Sequence, residues 1–355
     1  MNKKTTMTNP LIYDFDFPEL AARVKSWGEP KFRGKQVWDG LYKNLWTTPE
    51  EFTNLSKSLR EKMGELLKFD VLKPVVTQES KDGDTRKTLF ELHDGQQIET
   101  VIMHYDREEG QDRNTVCIST QVGCGMGCKF CATGQMGFKR QLSSGEIVAQ
   151  VIYAARELQD AGETLTNVVV MGMGEPFHNY ETTLEALARL NDENGFNFGA
   201  RRFTISTVGL VPLIWKFADA GVQYNLAISL HAAEDELRSS MLPINDKHPI
   251  NKLLEACRYY VEQTSRKITF EWALIEGVND TPEQAYILAR KLKGLMCHVN
   301  AIPLNPTQGF HGQSTDNDRA KIFKETLEQV GITCTIRAHR GIDIQAGCGQ
   351  LASRL

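Results

Sequence analysis

No run of about 18 apolar residues occurs in the 355-residue chain, which excludes a helical membrane span. A secretory leader is lacking too. Met1-Asn2-Lys3-Lys4-Thr5-Thr6 leads into polar sequence and not into an apolar core, so the expected location is the cytoplasm. There is no internal repeat and no low-complexity run. Excess positive charge is also missing. The formal net charge is −4, which argues against coating nucleic acid through global charge and leaves only a local basic face open. The eight cysteines, at 117, 124, 128, 131, 257, 297, 334 and 348, do not suggest a disulfide scaffold in a chain this long. A tight group among them points instead to metal binding or catalysis.

What is present reads as an ordinary globular protein, with 41% hydrophobic and 24% charged residues and room for one large domain plus a small appendage. Up to about residue 68 the pattern predicts short helices. Val37, Leu41 and Tyr42 share one helical face, and Thr48-Pro49 is a helix start. Lys31, Arg33 and Lys35 gather beside Phe32 and Trp38, either as a solvated face or as an RNA contact. Strand-like segments at 85–92 and 98–103 flank the turn His93-Asp94-Gly95.

Strands at 115–119, 167–171, 202–207, 224–230, 268–274 and 298–302 then alternate with helices at 144–158, 180–190, 211–220, 250–264, 282–292 and 316–330. Six such units predict an α/β fold, an incomplete (β/α)6 TIM-like barrel with right-handed crossovers and functional residues at the carboxyl ends of its strands. The expected divisions are a helical accessory domain at 1–68, a β-hairpin segment at 69–109, the barrel core at 110–342 and a tail at 343–355.

The strongest signal is Cys124-Gly125-Met126-Gly127-Cys128-Lys129-Phe130-Cys131, a Cys-x3-Cys-x2-Cys in the loop after the first barrel strand. Closely spaced thiolates of this kind hold iron–sulfur clusters. Structural zinc would need a fourth ligand, and no second Cys-x2-Cys exists. Three ligands leave one iron of a 4Fe–4S cluster open to chelate the methionine end of S-adenosylmethionine. With Phe130 just before the last cysteine, the motif resembles the signature of the radical-SAM superfamily.

After the second strand, Gly172-Met173-Gly174-Glu175-Pro176 offers backbone groups and a carboxylate for an amino group; alone it would be only a glycine-rich turn. Ser206, Ser229-Leu230-His231 and Asn305 also fall at carboxyl ends of strands. Gly347 and Gly349 flank Cys348 and free its backbone to move. Cys257, Cys297 and Cys334 read as small core residues.

Together, Cys117 to Cys124, Gly172 to Pro176, Ser229-Leu230-His231, Pro243-Ile244-Asn245 and Asp343 to Leu351 resemble the RlmN/Cfr family of RNA adenine methyltransferases over nearly the whole chain. Gly347 stands where that family has alanine, and the loop 105–114 is a few residues longer. The resemblance implies one 4Fe–4S cluster on Cys124, Cys128 and Cys131, with S-adenosylmethionine bound by Gly174, Glu175, Ser206, Ser229, Leu230, His231 and Asn305. It implies two molecules of S-adenosylmethionine per turnover. One methylates Cys348; the other yields the radical that activates this methyl group, which then adds to an adenine. Cys117 closes a disulfide with Cys348 to release the product, and Glu99 matches the family's proton acceptor, although as a strand carboxylate it would be expected at the surface.

The implied substrate is an adenosine of 23S ribosomal RNA, with transfer RNA as a second candidate. The implied partners are a one-electron donor such as flavodoxin and no second subunit. Lys31, Arg33, Lys35, Arg337, Arg340 and Arg354 are candidate phosphate contacts. Glu175-Pro176 favours carbon 2 of the adenine, whereas Gly341-Ile342-Asp343 leans towards the carbon-8 enzymes. A non-catalytic iron–sulfur RNA-binding protein would leave Cys117 and Cys348 unexplained.

Overall fold

Residues 9–105, 112–337 and 340–353 are described by the computed structural model. Three helices come first: α1 (Phe17–Ser26), α2 (Phe32–Tyr42) and α3 (Lys57–Leu66). Asp16 starts α1 by accepting the Glu19 N–H, and Glu19 returns the contact to the Asp16 N–H. This reciprocal cap satisfies two donors that the first turn leaves unpaired. α2 buries Val37, Trp38, Leu41 and Tyr42, one stripe at helical spacing. It crosses α1 so closely that a Cβ on Gly34 would lie 2.7 Å from the Ala21 Cα.

Strands β1 (Lys73–Glu79), β2 (Thr85–Glu91) and β3 (Gln97–Tyr105) follow as an antiparallel meander. Next come β4 (Arg113–Cys117), the hairpin strand β5 (Gln121–Gly123), the short helix α4 (Ala132–Gln135) and β6 (Phe138–Gln141). The alternation proceeds through α5 (Ser144–Asp160), β7 (Asn167–Val170), α6 (Tyr180–Asn191), β8 (Phe203–Thr207) and α7 (Val211–Asp219). It continues with β9 (Asn225–Ser229), α8 (Asp235–Met241), α9 (Ile250–Thr264), β10 (Ile268–Leu274) and α10 (Pro282–Leu292). The last elements are β11 (Cys297–Pro303), α11 (Asn317–Glu328) and β12 (Thr333–Ile336).

Ten strands form one sheet in the order β1-β2-β3-β4-β7-β8-β9-β10-β11-β12. From β4 to β12 every pairing is parallel. Cys117 of β4, Thr204 of β8, Glu271 of β10 and Thr335 of β12 nevertheless line one cavity, so the sheet curls into a partial barrel. The six expected strand–helix units are present, and β12 extends them with a seventh parallel strand. Its four residues are too short for a two-residue alternation to stand out. β1 also escaped the sequence pattern, because it is a polar, largely exposed edge containing Pro74. The antiparallel strands continue the barrel sheet through the β3–β4 pairing.

The helical N-terminal region docks on α5. Arg156 forms an ion pair with Glu51 at 2.6 Å and bonds the Thr47 hydroxyl at 2.6 Å, and Asp14 accepts the Gly145 N–H at 2.8 Å. No helix among the described residues is long and apolar enough to cross a membrane. Cys257, Cys297 and Cys334 are buried in the core, as expected for small hydrophobic side chains.

Candidate active site

The cysteine loop is framed by the β5–β6 hairpin. Gly123 has φ +73°, and a Cβ there would lie 1.9 Å from the Gly137 carbonyl oxygen, so only glycine allows this entry. Cys124, Cys128 and Cys131 all line one cavity of about 160 Å³. Among the described residues, no three cysteine, histidine or acidic groups converge as ligands of a single ion. Three cysteines of a Cys-x3-Cys-x2-Cys motif that line one cavity have the donor chemistry of an iron–sulfur cluster site, in which each thiolate takes a different iron. Burial pushes the Cys124 thiol up to about 12 and raises Cys128 as well, so a bound metal would favour their ionised form. Phe130 packs edge-on against His231, with ring centroids 4.9 Å apart.

The same cavity is walled by Gly174, Glu175, Ser206, Ser229, His231 and Asn305. Gly174 has φ +105°, and a Cβ there would come within 2.6 Å of the Gln121 side chain. Glu175 is buried, and its two oxygens accept the Phe177 N–H at 3.0 Å and the Val208 N–H at 2.9 Å. Burial raises its pKa to about 7, against hydrogen bonds from Thr207, Val208 and Phe177. A bound amino group that donates a hydrogen bond would favour the ionised form. The sign is therefore set: the carboxylate protonates below about pH 7, and affinity for an amino group falls with it. Between pH 8 and pH 6, calorimetric binding of S-adenosylmethionine should weaken about tenfold. Flat affinity across that range would remove Glu175 from the amine contact.

Ser206 and Ser229 close β8 and β9 with their hydroxyls 3.4 Å apart. His231, at φ +59°, accepts the Ala273 N–H on Nδ1 at 2.9 Å. Burial first, and then the Arg238 charge, depress its pKa to about 3, so the ring is neutral. Leu230 differs from these residues in where its side chain lies. Its side chain lies in the hydrophobic core and does not line the cavity, while its N–H is donated to the Glu271 carbonyl.

A second cavity of about 590 Å³ contains Cys117. Cys348 lines both cavities, and so do Cys131, Glu271 and Asn305. Cys348 is thus the junction between the cluster loop and Cys117, and its exposed surface faces cavity space. Burial raises its thiol pKa, with the Arg337 guanidinium opposing, and lifts Cys117 to about 12. The Asn305 amide donates to the Cys348 carbonyl at 3.1 Å and holds the tail beneath the strand ends.

One expectation needs correction. Glu99 is not a surface carboxylate: it is 1% exposed, its Oε1 lies 2.9 Å from the Lys87 ammonium, and it lines neither cavity. A buried charge needs a partner, and Lys87 supplies it. Arg337 and Arg340, the candidate phosphate contacts, are half-buried and line the larger cavity. Arg337 donates to the Tyr105 hydroxyl at 2.8 Å; Arg340 bonds Asp84 at 2.7 Å and the His104 carbonyl at 2.8 Å. They close the barrel seam between β12 and β3. Arg354 lies outside the described residues. Lys31 and Lys35 are exposed, Arg33 is half-buried, and Lys35 pairs with Asp39.

Several site residues carried no sequence signal. Arg238 is fully buried and donates to the carbonyls of Leu230, Val208 and Ser229 and to Asn245. In Asp-Glu-Leu-Arg-Ser-Ser-Met it looks like an ordinary surface arginine. Glu271, whose pKa burial raises to about 6, accepts from Asn300 at 2.6 Å inside the barrel.

Comparison with known proteins accounts for this constellation. Residues 118–289 match the radical SAM superfamily, and residues 11–68 match the ribosomal RNA large subunit methyltransferase N-terminal domain. A "probable dual-specificity RNA methyltransferase RlmN" of Chloroflexus aurantiacus is 47% identical over 98% of this chain and 94% of its own length. A protein of the same description from Halalkalibacterium halodurans is 47% identical over 97% and 94%. The crystal structure of a radical SAM methyltransferase from Sphaerobacter thermophilus superposes with a TM-score of 0.94, at 48% identity, over 97% of this chain and 99% of that one.

Proposed function

We propose, from the premise that the chain belongs to the RlmN family of radical-SAM enzymes, that it methylates carbon 2 of an adenosine in 23S ribosomal RNA and also acts on transfer RNA. The observation that carries this reading is the position of Cys348 between the cavity of the cluster cysteines and the cavity of Cys117. Adenine carbon 2 is not nucleophilic, so direct transfer from a sulfonium fails there. A cysteine that carries the methyl group to the ring meets that difficulty.

Cys124, Cys128 and Cys131 would hold one 4Fe–4S cluster, which would supply the electron for reductive cleavage of S-adenosylmethionine to methionine and a 5′-deoxyadenosyl radical. Gly174 and Glu175 hold the amino group. Ser206, Ser229, His231 and Asn305 complete the pocket. Cys348, as thiolate, first takes a methyl group from another S-adenosylmethionine by displacement. Its methyl carbon, once a hydrogen has been removed from it, bonds the adenine. The ring radical so formed would return one electron to the oxidised cluster and Glu99 accepts the ring proton; Cys117 then attacks the Cys348 sulfur, the disulfide forms, the sulfur–carbon bond breaks, and the released carbon takes up a proton to become the methyl group. An external reductant then restores both thiols. A flavodoxin-type protein serves as the electron donor, and the enzyme works as a monomer.

The test is product analysis of 23S ribosomal RNA and transfer RNA treated with purified enzyme, S-adenosylmethionine and reductant. Chromatography and mass spectrometry should give 2-methyladenosine, with S-adenosylhomocysteine and 5′-deoxyadenosine formed in equal amounts. The 8-methyl isomer would overturn the regiochemistry, and no modified adenosine would overturn the function.

A further inference from the structure

We infer that Lys87 and Glu99 form a latch that closes the Cys348-bearing tail over the site, and that Lys87 is the positioning residue of that latch. Opposed strands place the pair: Lys87 of β2 and Glu99 of β3 lie diagonally across the β2–β3 ladder, where Lys87 pairs Val101 and Glu99 pairs Leu89. Both are buried, at 4% and 1% exposure. Glu99 Oε2 accepts two backbone N–H groups of the tail, from Ala352 at 2.8 Å and Ser353 at 3.2 Å. Lys87 reaches the same tail further back, donating to the Gln345 carbonyl at 3.4 Å. Cys348 therefore sits in a segment gripped on both sides by one ion pair.

The Ser353 hydroxyl adds a bond to the Gln97 carbonyl at 2.8 Å. The contact at the other oxygen differs in kind. Lys87 Nζ is 2.9 Å from Oε1, yet Oε1 receives no aligned hydrogen bond. Lys87 thus balances the charge of Glu99 without saturating it. The tail backbone is folded tightly, with Gln345 at φ +53°, Gly349 at φ +82° and Ser353 at φ +49°. A non-glycine residue holds such a conformation only where its surroundings impose it.

The consequence, which rests on the role of Glu99 proposed above, is a coupling of two events. While the tail is latched, Glu99 is sealed from both cavities and cannot touch an adenine. Once Cys348 is drawn onto the RNA base, Ala352 and Ser353 withdraw and Oε2 gains a free lone pair. The proton acceptor becomes available only after the tail has moved.

Alkylation of Cys348 by iodoacetamide in the anaerobic holoenzyme, without RNA or S-adenosylmethionine, tests the latch. Peptide mass spectrometry compares Cys348 with fully buried Cys257, which reports global unfolding. Glu99→Ala, Lys87→Met and truncation after Leu351 should each speed Cys348 alkylation roughly tenfold or more, the factor for loss of one charge-assisted hydrogen bond. Cys257 should stay unlabelled, and Lys87→Arg should restore the slow rate. Wild-type alkylation in all three variants would overturn the latch. Accelerated Cys257 labelling in step with Cys348 would also overturn it, by reducing the pair to a general fold contact.

Proton abstraction plays no part without RNA, so the two roles separate. With RNA, a Glu99→Ala protein that traps the covalent adduct but alkylates Cys348 normally retains the base and rejects the latch. Fast alkylation with normal product release does the reverse.

Discussion

Replacing Cys117 by alanine is expected to leave the protein covalently joined to its RNA. Cys117 and Cys348 share the larger cavity, and the Cys117 pKa is raised by burial first and then by the Cys348 sulfur. Such influence requires proximity. Methylation of Cys348 and attachment to the base do not use Cys117, so both should proceed in Cys117→Ala. Release in the proposed scheme requires a second sulfur to attack Cys348, and none remains: Cys124, Cys128 and Cys131 are the proposed cluster ligands, while Cys257, Cys297 and Cys334 are buried in the core. Turnover should fall at least about a thousandfold, the scale on which loss of a group that forms a covalent intermediate acts. Denaturing electrophoresis after nuclease digestion should show a nucleotide-bearing peptide that contains Cys348. Free protein with normal turnover would refute the two-cysteine scheme. In Cys348→Ala neither adduct nor product should form, although 5′-deoxyadenosine should still appear, because the cluster ligands are untouched.

Arg238→Ala should cost the most stability of any single change at the pocket, about 3–5 kcal/mol. That is a large share of the roughly 5–15 kcal/mol that holds a typical domain together. The guanidinium is fully buried, and burial lowers its pKa to about 10, so it remains charged at neutral pH. It donates to Leu230 at 3.1 Å, Val208 at 2.7 Å, Ser229 at 3.1 Å and Asn245 at 3.0 Å. Alanine strands all four acceptors in the interior. Lysine does not rescue, because one ammonium cannot reproduce the planar fork. Affinity for S-adenosylmethionine should fall as well, since Arg238 holds the turn whose Val208 N–H orients Glu175. Urea denaturation followed by circular dichroism supplies the stability, and calorimetry the affinity. A loss under 1 kcal/mol would show that water replaces the guanidinium.

The cluster loop was legible because coordination chemistry fixes cysteine spacing within eight residues. Glu175, Ser206, Ser229, His231 and Asn305 were legible because parallel strands present their carboxyl ends on one side. Leu230 follows the same rule with its side chain turned inward. Adjacent residues of a strand end face opposite ways, and its side chain went to the core. Nothing local marks Glu99 as buried: its shelter comes from Lys87 twelve residues earlier and from a tail 253 residues later. Arg337 and Arg340 looked like surface cations because the sequence does not show that β12 brings them to Tyr105. Arg238 was invisible for a related reason, since three of its four partners are backbone carbonyls, and any residue type has one.

The 253-residue separation between Glu99 and Ala352 also has a meaning in time. On a ribosome adding roughly 5–20 residues per second, Glu99 waits about 13 to 50 s for its tail partner. The cysteine loop is synthesised early in that interval, and the Gly349 carbonyl that later bonds Ala132 at 2.7 Å does not yet exist. The nascent chain thus presents three thiols in an uncovered loop for most of its synthesis. Any cluster that the loop is to hold has that interval in which to assemble before the tail is drawn across the opening.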